Sequence, residues 1–180
     1  LISSNASDAQ IAFHEAGHCV AAYLTGIFLM KGVDHTAGAS HAHAEFELDS
    51  MCQQMRAHDL QPGLTEADYK RERAVISAAG VAAERRYLEF HGMHVDEQQL
   101  SLGARGDLEG VVALLGPGHW DRAEAAATKL MDEPAIWSAV ASLASAIRLK
   151  QGKLSGDQVT HVIENALNPS DVELVRVLRY

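Results

Sequence analysis

Ile11, Ala12, Ala16, Val20, Ala21 and Leu24 recur at helical spacing, which predicts a largely buried helix over residues 8–25. Asp8 stands where an N-cap would open it, and Gly26 where a helix stops. The pattern then changes. Residues 27–33 read as a short strand and 34–40 as a turn. Residues 41–48 alternate in type, which suggests an extended strand with unlike faces. Residues 49–63 are irregular, and Pro62-Gly63 marks a break. A long helix follows over about residues 65–91, with Thr65 as cap, Glu66 and Asp68 near its positive end, and Gly92 as stop. Val75 to Ala83 is a run of small apolar residues that permits a close helix contact. Residues 92–106 read as a loop that leads into a short helix, Asp107 to Leu115. Further helices are expected near 121–132, 134–151 and 156–167, with Pro134 in a first turn and Ser155 as a cap. Ile136, Val140, Leu143, Ile147 and Leu154 form their apolar stripe, and 168–180 reads as a strand or a last helix. The expected fold is mainly α with a small β element near residues 27–48.

At 180 residues the chain is long enough for one well-buried domain. Residues 1–118 would form its core and 119–180 a helical region. The net charge of −9 disfavours nucleic acid and an anionic membrane surface as partners. Cys19 and Cys52 form no disulfide framework and no C-x-x-C, which points to a reducing compartment. A cytoplasmic location is expected, or the cytoplasmic face of a membrane if the chain belongs to a longer one. Residues 19–30 are the longest apolar stretch, too short to span a bilayer, and no membrane segment or signal peptide is expected. Neither G-x-x-x-x-G-K-[ST] nor G-x-G-x-x-G occurs, so no nucleotide motif is present.

The chemistry concentrates in His14-Glu15-Ala16-Gly17-His18, an H-E-x-x-H motif. On a helix, positions i and i+4 share one face, about 6 Å apart along the axis. Two imidazoles so placed can share a metal ion. Glu15 lies about 100° round the helix. It can act as a base on water at the metal rather than as a ligand. The plain alternative is a surface helix with two solvated histidines, which the apolar surroundings of the motif argue against. His41 and His43 would point the same way on their strand, as a substrate contact, a second metal pair or, most simply, an exposed edge. Glu84 ends the small-residue run as a surface carboxylate or a partner for a buried polar group. Asp107 is either an N-cap or a carboxylate delivered to a metal from a loop–helix junction.

Three pieces in this order resemble the peptidase domain of the FtsH family, AAA-linked zinc proteases. Phe13-His14-Glu15-Ala16-Gly17-His18-Cys19 is close to H-E-A-G-H-A. Ala79-Gly80-Val81-Ala82-Ala83-Glu84 is similar to G-G-R-x-A-E-E, and Leu102-Gly103-Ala104-Arg105-Gly106-Asp107-Leu108 to T-G-A-x-x-D-[IL]. The resemblance implies a helical, zincin-like domain whose zinc ligands are His14, His18 and Asp107. Glu15 is then the general base and Glu84 an outer carboxylate that orients a ligand histidine. His41, His43, Ala44, Glu45 and Phe46 fall where the family pairs an edge strand with its substrate backbone. Zn2+ is the implied cofactor, a peptide or unfolded protein the substrate, and a homo-oligomer a possible assembly. The implied activity is ATP-independent peptide-bond hydrolysis. A catalytically degenerate zinc-binding adaptor is the competing reading. For the oxyanion, His119 in the turn after the Asp107 helix is a candidate. This chain departs from the pattern at Val81, at Arg85 in place of a second Glu, and in a longer stretch between Glu84 and Asp107.

Overall fold

Small side chains decide how the helices of this protein meet. The computed structural model describes residues 3–26, 28–35, 42–48, 65–150 and 153–168. Its elements are α1 (Ser3–Thr25), β1 (Phe28–His35), β2 (Ala42–Leu48), α2 (Glu66–Phe90), α3 (Glu97–Gly103), α4 (Arg105–Leu115), α5 (Trp120–Asp132), α6 (Pro134–Leu149), β3 (Lys153–Ser155) and α7 (Gly156–Ala166). The fold is mainly helical with one small three-stranded antiparallel sheet, in the order β2-β1-β3.

α1 is the central element and packs against α2, α6, β1 and β2. Ala12, Ala16, Cys19, Val20, Ala21, Ala22 and Leu24 are all buried, so apolar contact surrounds most of its circumference. α2 presents Ala74, Ile76, Ala78, Ala79, Ala82 and Ala83 to the same core. With Ala and Gly at the contact, two helix axes approach to about 8 Å. Gly17 marks the tightest point. A Cβ there would lie 2.7 Å from Ala83 Cβ and closer still to the Ala79 carbonyl oxygen. One turn earlier, Phe13 stacks on Tyr87 of α2 at 4.4 Å and on Trp137 of α6 at 5.3 Å between centroids. These rings fix the rotation of α1 just before His14. The core continues through Leu130, Ile136, Leu143, Ile147, Val159, Ile163 and Leu167, so the expected front and rear regions pack into one core.

Both caps stand where expected. Thr65 and Asp68 form a reciprocal capping box at α2, and Ser155 and Gln158 form another at α7. Other expectations shift. α1 begins at Ser3, so Asp8 lies inside the helix and does not cap it. The stretch expected as a loop, 92–106, contains α3, whose start Asp96 secures by accepting from the backbone N–H groups of Gln98 and Gln99 at 3.0 and 3.2 Å. Leu154, expected in a helical stripe, is buried on β3, which pairs with β1 from Gly32↔Ser155 to Asp34↔Lys153. The expected features at residues 49–63 and 169–180 lie outside the described residues.

Two glycine substitutions should move stability in opposite directions. Ala is favoured over Gly inside a helix by about 1 kcal/mol. At Gly110 of α4 a Cβ meets nothing within 4 Å. Gly110→Ala should therefore stabilise the fold by up to about 1 kcal/mol. At Gly17 overpacking costs about 1–3 kcal/mol and outweighs that gain. Gly17→Ala should lower the urea midpoint and Gly110→Ala raise it, at unchanged m value.

Candidate metal centre

α1 sets His14 and His18 one turn apart, with their rings edge-on at 4.7 Å between centroids. α2 crosses that face at Gly80. A Cβ on Gly80 would lie 2.5 Å from His18 Nε2 and 2.7 Å from His14 Nε2. Only a glycine lets the α2 backbone come this close to both rings. α4 brings in the third group: Asp107 sits in its first turn, where Ala104 is the cap position. Asp107 therefore does not cap the helix. Its Oδ2 lies 3.3 Å from His14 Nε2 and 3.5 Å from His18 Nε2.

The opposite ring nitrogens are also held. His14 Nδ1 donates to Glu84 Oε2 at 3.2 Å, and His18 Nδ1 donates to the Ile76 carbonyl at 2.7 Å. A carbonyl can only accept, so the His18 Nδ1 carries a proton, and in the neutral ring the Nε2 lone pair faces Asp107. Glu15 is 5% exposed, and its Oε2 is buried without a hydrogen-bond partner. A buried carboxylate oxygen left unpaired costs stability. Cys19, beside His18, is buried and free, and burial together with the charge on Glu15 pushes its thiol pKa up.

The donor set, two imidazole nitrogens and a carboxylate oxygen, is of the kind that holds zinc. Two imidazole nitrogens and one carboxylate oxygen lie within 4.8 Å of one another. With metal–ligand bonds of about 2.0–2.2 Å, tetrahedral ligands stand about 3.4 Å apart. The two nitrogen–oxygen separations, 3.3 and 3.5 Å, are close to that edge and long for hydrogen bonds. Three protein donors leave a fourth position open. The titration of the cluster reflects its packing. Burial alone would lower the pKa of His14, but its contacts with Asp107 and Glu84 and the charge on Glu15 push it up to about 10. Burial would raise the pKa of Asp107, but the two histidines hold it well below the usual carboxylate range.

The structure thus brings together His14, His18, Asp107 and Glu84, with Glu15 on the same turn of α1. The other singled-out residues are not members of this cluster or fall outside the described residues. His43 and Glu45 are exposed on β2, 4.0 Å from each other. Ala44 is partly buried against the core. Phe46 pairs its backbone with Met30, and His41 lies outside the described residues. Among the described residues, the His14, His18 and Asp107 trio is the one metal-competent group. His119 occupies the N-cap position of α5, beyond the C-terminal end of α4. Two participants escaped the sequence. Gly80 had signalled close packing but not contact with both imidazoles. The Ile76 carbonyl is a backbone group and has no residue signature. No family model and no curated protein matches the chain.

Gly80→Ala should displace both rings and weaken zinc uptake by at least about tenfold in competition with a chromophoric chelator, whereas Gly110→Ala should leave it unchanged. A pH effect follows when metal is chelated. The raised pKa of His14 contributes stability that is complete below its ordinary 6.5 and is lost as pH rises through about 10. Asp107→Asn removes the strongest contact raising it. In chemical denaturation, the variant should lose less stability than the parent between about pH 7 and 10.

Proposed function

We propose that this protein is a zinc-dependent metallopeptidase with an FtsH-like peptidase domain, hydrolysing peptide bonds without ATP. The observation that carries this reading is the buried, unpartnered Glu15 carboxylate beside the His14, His18 and Asp107 trio. A purely structural or adaptor site has no use for that oxygen and would be more stable without it.

His14 and His18 would hold the ion through Nε2 and Asp107 through its carboxylate. Glu84 and the Ile76 carbonyl keep both rings turned the right way. When bound, zinc supplies Lewis-acid polarisation of a carbonyl and acidifies a water molecule. Glu15 then accepts a proton from the attacking water and returns it to the leaving amine. Its unpaired oxygen has no competing donor to give up first. The fixed α1–α2 packing holds the base and the ring nitrogens in one frame, so little reorganisation precedes the reaction.

The substrate reading rests on β2. Among the described residues β2 pairs with β1 alone, so its outer edge can receive an extended peptide by β-augmentation. His43 and Glu45 would flank such a peptide, while Ala44 faces the core. Peptides and unfolded chains suit this mode because their backbone groups are free to pair. No helix among the described residues is long and apolar enough to cross a membrane. We read the protein as acting in a reducing, cytoplasmic setting, or at the cytoplasmic face of a membrane if the chain belongs to a longer one, with a homo-oligomer as a possible assembly.

Zinc content measured by elemental analysis should be about one per chain in the parent and much lower in Asp107→Ala. Glu15→Gln should keep the zinc and lose at least about 100-fold in peptide hydrolysis, the usual scale of a general base. A Glu15→Gln protein with zinc and undiminished hydrolysis would overturn the assignment.

A further inference from the structure

Arg85 follows Glu84 and points to the other side of the site's supporting elements. Its guanidinium forks onto Glu97, with Nη2 to Oε2 at 2.8 Å and Nε to Oε1 at 3.3 Å. Its Nη1 donates to Glu124 Oε1 at 2.6 Å. One cation therefore ties α2 to the start of α3 and to α5. Arg85 is 22% exposed, as is Glu124, while Glu97 is 66% exposed. An isolated surface pair contributes little, but a mostly covered guanidinium held by a bidentate fork and a second carboxylate is set in one geometry.

The Glu97 arm leads to the candidate metal centre. α3 and α4 are separated only by Ala104. The helical ladder crosses that junction, with Ala104 N–H donating to the Leu100 carbonyl and Leu108 N–H to the Ala104 carbonyl, both at 2.9 Å. Glu97, Leu100, Ala104 and Asp107 follow one another at spacings of three, four and three, which is one face of a helix. Leu100 and Ala104 are 3% and 2% exposed, so this face is turned inward. The ion pair grips one end of the arm, and the carboxylate against the histidines stands at the other, about 15 Å along. Among the described side chains, the buried anchors between them are Leu100 and Ala104.

We propose that Arg85 is a positioning residue: by gripping Glu97 it holds the α3–α4 arm so that Asp107 stays against His14 and His18. The zinc readout of this proposal rests on the metal reading above; the clamp itself does not. Glu124 supplies the internal control, since it binds the same guanidinium but leads to α5, not to Asp107.

The test uses the full chain with Arg85→Met, Arg85→Lys, Glu97→Gln and Glu124→Gln. Three quantities are measured: hydrogen exchange of the amides over residues 97–111, the imidazole 15N signals of His14 and His18 without metal, and zinc affinity. Arg85→Met and Glu97→Gln should speed exchange along α3 and α4, shift both imidazole signals and weaken zinc binding by about tenfold. Arg85→Lys should restore part of each, because an ammonium keeps the charge but not the fork. Glu124→Gln should lower thermal stability and leave the imidazole signals and zinc affinity unchanged. The proposal fails if Glu97→Gln leaves the imidazole signals in place, or if Glu124→Gln moves them as far. If the parent binds no zinc, the metallopeptidase reading falls, and the imidazole signals and exchange rates alone decide the clamp.

Discussion

The site depends on the close approach of α1 and α2. Gly17 lets the helices touch at Ala79 and Ala83, and Gly80 lets the α2 backbone lie against both imidazoles. A larger side chain at either position would separate the helices or turn the rings. The same approach places the Ile76 carbonyl and Glu84 at the two Nδ1 atoms. Ring orientation is therefore a consequence of backbone packing. Phe13, wedged between Tyr87 and Trp137, holds the register of that contact.

Such packing carries an electrostatic consequence. Two histidines, Asp107, Glu84 and Glu15 share a largely buried volume. Contacts with Asp107 and Glu84 and the charge on Glu15 raise the pKa of His14 against the effect of burial, and the two histidines lower that of Asp107. Glu15 Oε2 is buried with no hydrogen-bond partner among the described residues. A fold selected only for stability would not keep it there.

Arg85 and the stretch between Glu84 and Asp107 are connected in space. The longer stretch between Glu84 and Asp107 folds as α3 and joins α4 through a continuous turn. Arg85 pairs with Glu97, the first residue of α3. A glutamate at 85 would face Glu97 and Glu124 and repel both.

The sequence by itself determined the local features. The H-E-x-x-H helix, the long Ala-rich helix and the Thr65 and Ser155 caps follow from periodicity and capping chemistry, which act over a few residues. The extended character of residues 42–48 was legible from their alternation, but their pairing with β1 was not. Tertiary contacts decided the rest. α3 is short, polar on its exposed side and secured by Arg85 from a distant helix, so its own sequence reads as a loop. β3 has three residues and exists as a strand only through β1. Asp107 read as a cap or a metal carboxylate; the helix start at Arg105 removes the cap, and the meeting of three helices puts its carboxylate beside His14 and His18. The chemical identity of the cluster was local, and its geometry was not. Residues 14, 84 and 107 come together only because packing brings α1, α2 and α4 within reach of one another.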